Sequence, residues 1–599
     1  NKEAYKNATR QLAAAISSHR SKEESALLSK SPHAFYAYVL RHYHPSAQQI
    51  VLNDGGKAIS DDATVCELLA DEFTKNFSRG SIISDHMGSS EDSEFQMSIN
   101  VNSVYSVLKY LHETAAGPDG IPALFYKHAA SSLARPLCII FNRSLLQGRV
   151  PKDWKLVKVI PLYKGKGKKD APSSYRPICL TNVACKVMER NIVTSLTEFL
   201  ESRNLITPCQ HGFRRGRSTV TNLLECESFI WQCLNSKRSC DVICIDFMRA
   251  FDKVSHSLLC KKLKEVGVSG CYLRWFADFL SDRWQYVQYN SARSALALVA
   301  SGVVQGSCTG PLLFNIFIND LSRVIKHCKL SMFADDLKVA GDVTTSDDVA
   351  LVQSDLDAIS EWSVANELPI SLPKCSALHY GSSNSKHQYV LSGQQINSVS
   401  ECADLGVLRS DTFTFQPHVR AVALKAARLA GMVAKMFASH DRDFLVKLFC
   451  AYIRPVVEYA SPVWSPKDVA SCVLLENVQR RFTKRISGMS CLSYEERLDA
   501  LKLHSLQQRR EQLDLLLIHK SLHGRTVSPS VLGLQVQHSL TRQDGGLVRI
   551  RPNSALLAKH FCCRAPVLWS SLPCTLRNVA SQAGFKAKLL TFMSSHSRV

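Results

Sequence analysis

Apolar runs joined by turns dominate the chain between about residues 101 and 380. Residues 330–333 and 337–339 are two such runs, and Ala334-Asp335-Asp336 separates them. Two apolar runs around a tight turn predict a β-hairpin. Residues 242–245 form a third apolar run, and it leads directly into Asp246. This pattern predicts a buried strand that ends in a carboxylate.

Helical spacing of apolar residues, interrupted by Gly and Pro, predicts most of the remaining elements. The predicted helices cover about residues 5–17, 63–77, 101–111, 123–147, 182–202, 419–437 and 444–453, and two more begin at about 218 and 311. Residues 350–373 are predicted to form a helix and a turn, and the further strands cover 157–162 and 376–380. Residues 78–98 are polar and rich in Ser and Asp, which is typical of a linker. Beyond about 400 the chain is predicted to be largely helical and basic.

Composition narrows the class of protein. A chain of 599 residues is long enough for two to four domains. Lys and Arg outnumber Asp and Glu by 73 to 52, and the resulting net charge of +21 favours a polyanionic partner, nucleic acid before membrane. No apolar run is long enough to span a bilayer. The 21 cysteines are scattered without metal-ligand spacing, which is typical of reduced thiols in an intracellular protein.

The adjacent Asp335 and Asp336 are the first candidate site. Two neighbouring carboxylates repel each other unless a cation lies between them, and a divalent metal is the usual partner. The alternative is a solvated hairpin tip, because Asp favours turns for its own hydrogen-bonding reasons. Asp246 shifts the balance towards a metal site, because a carboxylate at the end of a buried strand is costly unless it is paired or bound to metal.

Clusters of basic residues and glycines are the second group of candidates. Lys164, Lys166, Lys168 and Lys169 lie among glycines and suit a loop that grips phosphate. Arg214, Arg215 and Arg217 lie in another Gly-containing loop, which could track a phosphate backbone or be a solvated basic turn. Two predicted helices carry further basic residues, which could line a duplex or form solvated faces: Arg480, Arg481, Lys484 and Arg485 on one, and Arg509 and Arg510 on the next. Gln305-Gly306 precedes a helix that has Pro311 in its first turn, and the glycine allows backbone to approach a ligand closely.

Taken in order, these motifs resemble the reverse transcriptases of non-LTR (LINE-type) retrotransposons, of the Jockey and CR1 group. The resemblance is carried by the turn at 117–122, Arg176-Pro177-Ile178, the segment 210–214, Asp246 with Phe251-Asp252, Gln305-Gly306-Ser307 with residues 311–314, Phe333-Ala334-Asp335-Asp336, and Tyr452-Ile453-Arg454-Pro455 with Glu458-Tyr459. It covers nearly the whole chain from about residue 105.

The resemblance implies specific roles for residues of this chain. Asp246, Asp335 and Asp336 are expected to be the catalytic residues and to bind two Mg2+ ions, with Mn2+ as a substitute. Phe251 is expected to be the steric gate that excludes a ribose 2′-hydroxyl. The remaining substrate contacts are assigned to Lys164, Arg176, Gln305, Gly306 and Lys374, the last of these as a general acid. Arg214, Arg215, Arg217, Arg480 and Arg481 are the expected nucleic-acid contacts.

The implied fold is an α/β right-hand polymerase: an extension and linker (1–100), fingers and an α+β palm (101–385), a helical thumb (386–490) and a basic helical C-terminal region (491–599). The implied partners are an RNA template, a DNA primer and dNTPs, with the element's own RNA in a cytoplasmic ribonucleoprotein that also reaches the nucleus. No targeting signal is evident.

Two departures from the family pattern keep an alternative open. Val304 stands where Pro is usual before Gln-Gly, and Ser371 stands where Asn is common before the Lys. A catalytically inactive nucleic-acid-binding relic of the same fold is therefore the second hypothesis, and a maturase-like protein is a third. The family's endonuclease motifs are not found, and the chain starts at Asn1, so we expect a fragment of a longer protein.

Overall fold

The structure is a computed structural model that describes residues 2–27, 35–36, 38–39, 49–78, 93–165, 167–537 and 546–596, with side chains up to residue 593. Much of the linker predicted at 78–98, together with Lys166, lies outside the described residues. No helix within these ranges has the length and apolar content that a membrane crossing requires.

Strands are concentrated in the middle of the chain. They are β1 (Leu52–Asp54), β2 (Lys57–Ile59), β3 (Leu156–Tyr163), β4 (Tyr175–Leu180), β5 (Cys240–Ile245), β6 (Trp284–Tyr289), β7 (Ala292–Arg293), β8 (Ala297–Leu298), β9 (Lys329–Phe333), β10 (Asp336–Asp342), β11 (Ser376–Tyr380), β12 (Val390–Leu391), β13 (Gln394–Gln395), β14 (Asn397–Ser398), β15 (Glu401–Asp404) and β16 (Val407–Ser410).

Helices surround these strands and make up the C-terminal third. The helices before β11 are α1 (Lys2–Ala26), α2 (Asp62–Thr74), α3 (Val101–Lys109), α4 (Ala123–His128), α5 (Ala130–Gln147), α6 (Val183–Ser202), α7 (Thr219–Asn235), α8 (Ala250–Lys253), α9 (His256–Glu265), α10 (Gly270–Leu280), α11 (Gly310–Ile318), α12 (Leu321–Val324) and α13 (Ser346–Ala365). Those after β16 are α14 (Gln416–Met436), α15 (Arg442–Leu448), α16 (Arg454–Glu458), α17 (Ser461–Trp464), α18 (Val469–Thr483), α19 (Tyr494–Leu501), α20 (Leu506–Leu522), α21 (Phe561–Ser570), α22 (Cys574–Arg577) and α23 (Gln582–His596).

A five-stranded sheet positions the acidic residues. Its strand order is β14-β11-β5-β10-β9, and β5 lies antiparallel between β10 and β11. Side chains alternate across this sheet, so Ile243 and Val339 pack into the main core while Val242 and Ala340 pack against a second cluster on the opposite face. Because both faces of the sheet are covered, the sequences of these strands are nearly continuous apolar runs.

A second sheet with the order β4-β3-β6-β7 lies under α2, and β8 pairs with β6. Its strands β3 and β4 form an antiparallel pair in which Leu162 lies opposite Arg176.

Helix α7 packs on the back face of the first sheet, and the C-terminal segment packs on α7. The Trp231 indole N–H on α7 donates to the Leu557 carbonyl at 3.1 Å, and His560 Nδ1 lies 2.5 Å from Glu227 on the same helix. In the same layer, Asp404 on β15 pairs with Lys338 on β10 and with Arg409 on β16, each at 2.8 Å. A buried charge needs such partners, and these pairs join the sheet to the segment beyond it.

Most predicted elements are confirmed, including the hairpin at 330–339, the strand before Asp246 and the helix start at Ser218, which forms a capping box with Thr221. The single helix predicted over 123–147 is wrong, because Ala129 interrupts it with non-helical backbone (φ −90°, ψ 15°). The helical region also begins later than expected, at Gln416, because two short hairpins occupy 390–410.

Candidate active site

The hairpin of β9 and β10 presents two aspartates at its tip. Phe333 pairs with Asp336, so Ala334 and Asp335 form a two-residue turn, and Ala334 adopts a left-handed φ of +54°. A first turn residue with positive φ matches the twist of a tight hairpin. The turn therefore places Asp335 and Asp336 together at one end of the sheet.

A segment far away in sequence clamps this turn. Gln210 Oε1 accepts hydrogen bonds from Ala334 N at 2.9 Å and from Gly212 N at 2.7 Å. His211 N donates to the Met332 carbonyl at 2.8 Å. A Cβ on Gly212 would lie 2.3 Å from Ala334 N, so only glycine fits there. The first residues of this segment, which the sequence predicts to be a loop that tracks a phosphate backbone, therefore support the hairpin.

Asp246 lies at the same edge of the sheet. Ile245, the last residue of β5, lies opposite Leu337 in the β5–β10 register. Asp246, the residue after β5, therefore lies beside the start of β10. Ser371 N donates to the Asp246 carbonyl at 2.7 Å, and Lys374 Nζ donates to Asp246 Oδ1 at 3.0 Å. The contact of Ser371 is made by its backbone, so it does not depend on the Asn that is common in the family at this position.

The aspartates influence one another electrostatically. Burial, followed by the charges of Asp335 and Asp246, raises the pKa of Asp336 to about 6. Burial and then the charge of Asp246 also raise the pKa of Asp335. Like charges that crowd one site disfavour their ionised forms, and a bound cation reverses this effect. The residues present therefore fit a divalent metal, although within the described residues no group of three or more Asp, Glu, His or Cys side chains is already arranged as a metal site.

Basic groups lie beside the aspartates. Lys164 follows β3, and Arg176 lies on β4, the antiparallel partner of β3. Burial, followed by the charges of Arg249, Arg176 and Lys374, lowers the pKa of Lys164. The Lys164 ammonium donates to the Ser173 carbonyl at 2.5 Å, and Arg249 pairs with Glu72 at 2.9 Å. Arg249 was not predicted from the sequence, although its position three residues after Asp246 could have indicated a place at this site. Together these cations form a site of suitable charge for a polyphosphate.

Aromatic and amide side chains form a further part of the candidate site. The Phe251 ring stacks on Phe314 with centroids 4.4 Å apart and meets the edge of Phe213 at 6.2 Å. Gln305 Nε2 donates to Asp252 at 2.7 Å. Gly306 has φ +122°, and a Cβ there would lie 2.4 Å from the Cys179 carbonyl oxygen.

Val304 is the other departure from the family pattern. It is buried in the core of the second sheet, and its carbonyl accepts from Ser307 N at 3.1 Å. The structure thus accommodates Val304 in an ordered turn that leads into α11.

The predicted nucleic-acid contacts divide into structural and exposed groups. Arg214 makes a bidentate pair with Glu201 at 2.8 and 2.5 Å, and Arg217 donates to the Pro208 carbonyl at 2.6 Å. Arg215 is exposed. Arg480 and Arg481 are exposed on α18, and the Arg480 guanidinium lies 4.6 Å from the Tyr494 ring centroid.

Arg509 and Arg510, in contrast, do not form an exposed basic face. Arg509 pairs with Glu458 at 2.7 Å, and Arg510 is 1% exposed. Reading them from the sequence as a face that binds a duplex or solvent is wrong, because α20 is packed on several sides by α17, α18, α21 and α23.

Comparisons with known proteins agree with this geometry. Residues 166–415 match the family described as reverse transcriptase (RNA-dependent DNA polymerase). The chain is 26% identical over 420 residues to the RNA-directed DNA polymerase from the mobile element jockey of Drosophila melanogaster, covering 66% of this chain and 45% of that protein. It is 25% identical over 420 residues to the probable RNA-directed DNA polymerase from transposon BS of the same fly, covering 66% and 46%.

A third relative is the putative 115 kDa protein in the type-1 retrotransposable element R1DM of Drosophila melanogaster, 27% identical over 404 residues, or 63% of this chain and 36% of that protein. The chain thus spans less than half the length of these curated relatives. The matched residues contain Asp246, Asp335 and Asp336. Residues 166–415 are therefore similar to a reverse transcriptase domain, in a chain that is similar to RNA-directed DNA polymerases of mobile elements.

Proposed function

We propose that this protein is an RNA-directed DNA polymerase that adds dNTPs to a primer 3′-hydroxyl. One observation carries the proposal: Asp246, Asp335 and Asp336 lie at one edge of a sheet, and Lys374 Nζ donates to Asp246 Oδ1 at 3.0 Å. In this reaction the hydroxyl oxygen attacks the α-phosphorus and pyrophosphate leaves, so an anionic substrate must approach carboxylates. The neighbouring cations offset that repulsion.

Asp246, Asp335 and Asp336 are the proposed ligands of Mg2+ or Mn2+. A pair of such ions would activate the attacking oxygen and neutralise the leaving oxygen. Lys164, Arg176 and Arg249 are the proposed contacts of the triphosphate, and the Lys374 ammonium is the proposed general acid that protonates pyrophosphate. Phe251 faces the sugar as the proposed steric gate. Gln305 and Gly306 are the proposed contacts to the nascent pair and template, and the Gln305 amide nitrogen also donates to Asp252 at 2.7 Å.

The domain assignments follow from this function. The two sheets and their helices over 101–385 correspond to the proposed fingers and palm, and α14 to α18 fall in the proposed thumb. The exposed Arg215, Arg480 and Arg481 are the proposed contacts to template and primer. The element's own RNA is the proposed template, in a cytoplasmic ribonucleoprotein that also enters the nucleus.

Primer extension on poly(rA)/oligo(dT) with Mg2+ or Mn2+ tests the proposal. We expect dTTP incorporation by the wild-type chain, and a loss of at least about 1,000-fold when Asp335 and Asp336 are both changed to Ala, since metal-binding groups supply several kcal/mol of transition-state stabilisation. Asp347→Ala, an exposed aspartate in the first turn of α13, is the control and should leave incorporation unchanged. Salt-sensitive RNA binding without any incorporation would instead support an inactive relic.

A further inference from the structure

Phe213 has an unusual combination of backbone strain and exposure. Its φ is +55°, in the left-handed region, and 58% of its surface is exposed. A bulky non-glycine residue in this region is strained, and it persists only where its surroundings impose that backbone conformation. An exposed ring offsets little of that strain through burial. The position of Phe213 therefore calls for an explanation other than core packing.

The same contacts that hold the catalytic hairpin hold Phe213. Gly212, directly before it, donates to Gln210 Oε1, which also binds Ala334 N. The Gly212 carbonyl accepts from Asn315 Nδ2 at 2.9 Å. Since Ala334 immediately precedes Asp335, the backbone of Phe213 is fixed relative to the aspartates.

The Phe213 ring contacts the proposed steric gate. It contacts Phe251 edge to face, at 6.2 Å and 79°, and Phe251 is stacked on Phe314 from the other side, at 4.4 Å and 15°. Phe314 is fully buried, Phe251 is half-buried and Phe213 is largely exposed. The three rings thus form a continuous aromatic surface that runs from the core to solvent beside the hairpin.

We propose that Phe213 is a nucleotide-binding residue whose exposed ring stacks on the base of the incoming dNTP while Phe251 faces the sugar. Every base has a flat π-face, so an aromatic ring can bind all four dNTPs without selecting among them. This inference rests on the proposed polymerase function and adds a base contact to it.

Replacement of Phe213 by Gly separates this role from a structural one. Glycine adopts positive φ without strain, so Phe213→Gly should leave the melting temperature unchanged or higher. The KM for dTTP should nevertheless rise about 5- to 100-fold, which corresponds to the loss of one base–aromatic stacking contact. Phe213→Tyr should restore the wild-type KM, and kcat and the KM for primer–template should change little.

Phe413 provides a matched control. It has nearly the same backbone angle, φ +56°, but it is buried and stacked on His560 with centroids 4.1 Å apart. Phe413→Gly should lower the melting temperature and leave the KM for dTTP unchanged in the protein that remains folded.

Steady-state primer extension on poly(rA)/oligo(dT), together with thermal melting, decides between the outcomes. An unchanged KM for dTTP in Phe213→Gly overturns the inference, as does an effect confined to primer–template. A rise in KM that accompanies a lowered melting temperature also overturns it, because it would indicate a structural role. An inactive wild-type chain overturns the proposed function, and the inference with it.

Discussion

The proposed steric role of Phe251 can be tested on a single side chain. Phe251→Val should reduce the preference for dTTP over UTP by about 10- to 100-fold, since the clash of one hydroxyl with a ring amounts to roughly 1 to 3 kcal/mol. Val removes the ring that stacks on Phe314, whereas Phe251→Tyr retains it. Single-nucleotide incorporation gives the ratio of kcat/KM values. An unaltered ratio in the Val variant would refute the gate.

His418 predicts a pH dependence of stability. The ring is buried, Leu408 N donates to its Nδ1 at 3.1 Å, and burial lowers the pKa of His418 to about 4. The unfolded chain binds a proton near pH 6.5 and the folded chain does not, so stability is complete above pH 6.5 and falls as the pH decreases towards 4. The loss should reach roughly 3 kcal/mol.

Urea unfolding between pH 4.5 and 7 measures this effect. His418→Asn keeps an acceptor for Leu408 N and cannot titrate, so the difference in unfolding free energy between wild type and variant should shrink with decreasing pH. A difference that is constant with pH would contradict the prediction.

Single residues also show where sequence reasoning succeeds and where it fails. Asp246, Asp335 and Asp336 were identified because apolar runs on either side gave each a place at a strand end. The partners of Gln210 and Gly212 could not be predicted, because Ala334 lies more than a hundred residues away and no local pattern specifies that contact. A run of arginines does not show which side chains are free to bind nucleic acid. Arg214 forms an ion pair with Glu201, whereas its neighbour Arg215 is exposed.

At the level of elements, the clamp formed by residues 209–212 should determine the stability of the hairpin. Gln210→Ala leaves the N–H groups of Gly212 and Ala334 without their acceptor in a buried place, which should lower the free energy of unfolding by roughly 2 to 4 kcal/mol. It should also lower kcat, because Asp335 loses its fixed position. Gln232→Ala, at an exposed position of α7, is the control.

Urea denaturation and primer extension report the two effects separately. A Gln210→Ala protein with wild-type stability and activity would show that the hairpin holds its shape without the clamp.

The elements themselves were largely predictable, because β5, β9 and β10 are apolar on both faces and the capping residue Ser218 is evident in the sequence. The short hairpins at 390–410 were missed, since their strands contain only two to four residues.

At the scale of the whole molecule, the charge of +21 predicts salt-sensitive binding to RNA. The exposed face of α18 and the turn after it, formed by Arg481, Lys484 and Arg485, should contribute directly. Changing all three to Ala should reduce the slope of log K against log salt by roughly 2 to 3. A control variant that combines Arg481→Lys, Lys484→Arg and Arg485→Lys preserves the charge and should keep the slope. Fluorescence anisotropy with a single-stranded RNA measures it, and equal slopes would exclude this face.

The C-terminal segment completes the apolar cluster on the back of the first sheet, and this has a consequence for how the protein is made. A ribosome completes α7 and β11 well before it reaches Cys562 and Cys563, which belong to the same apolar cluster as Ile230 and Leu378. At ordinary elongation rates the cluster of the nascent chain stays incomplete for on the order of ten seconds. The outer side of this cluster is thus exposed to aggregation during translation, and a chaperone that shields apolar surface would increase the yield of folded protein.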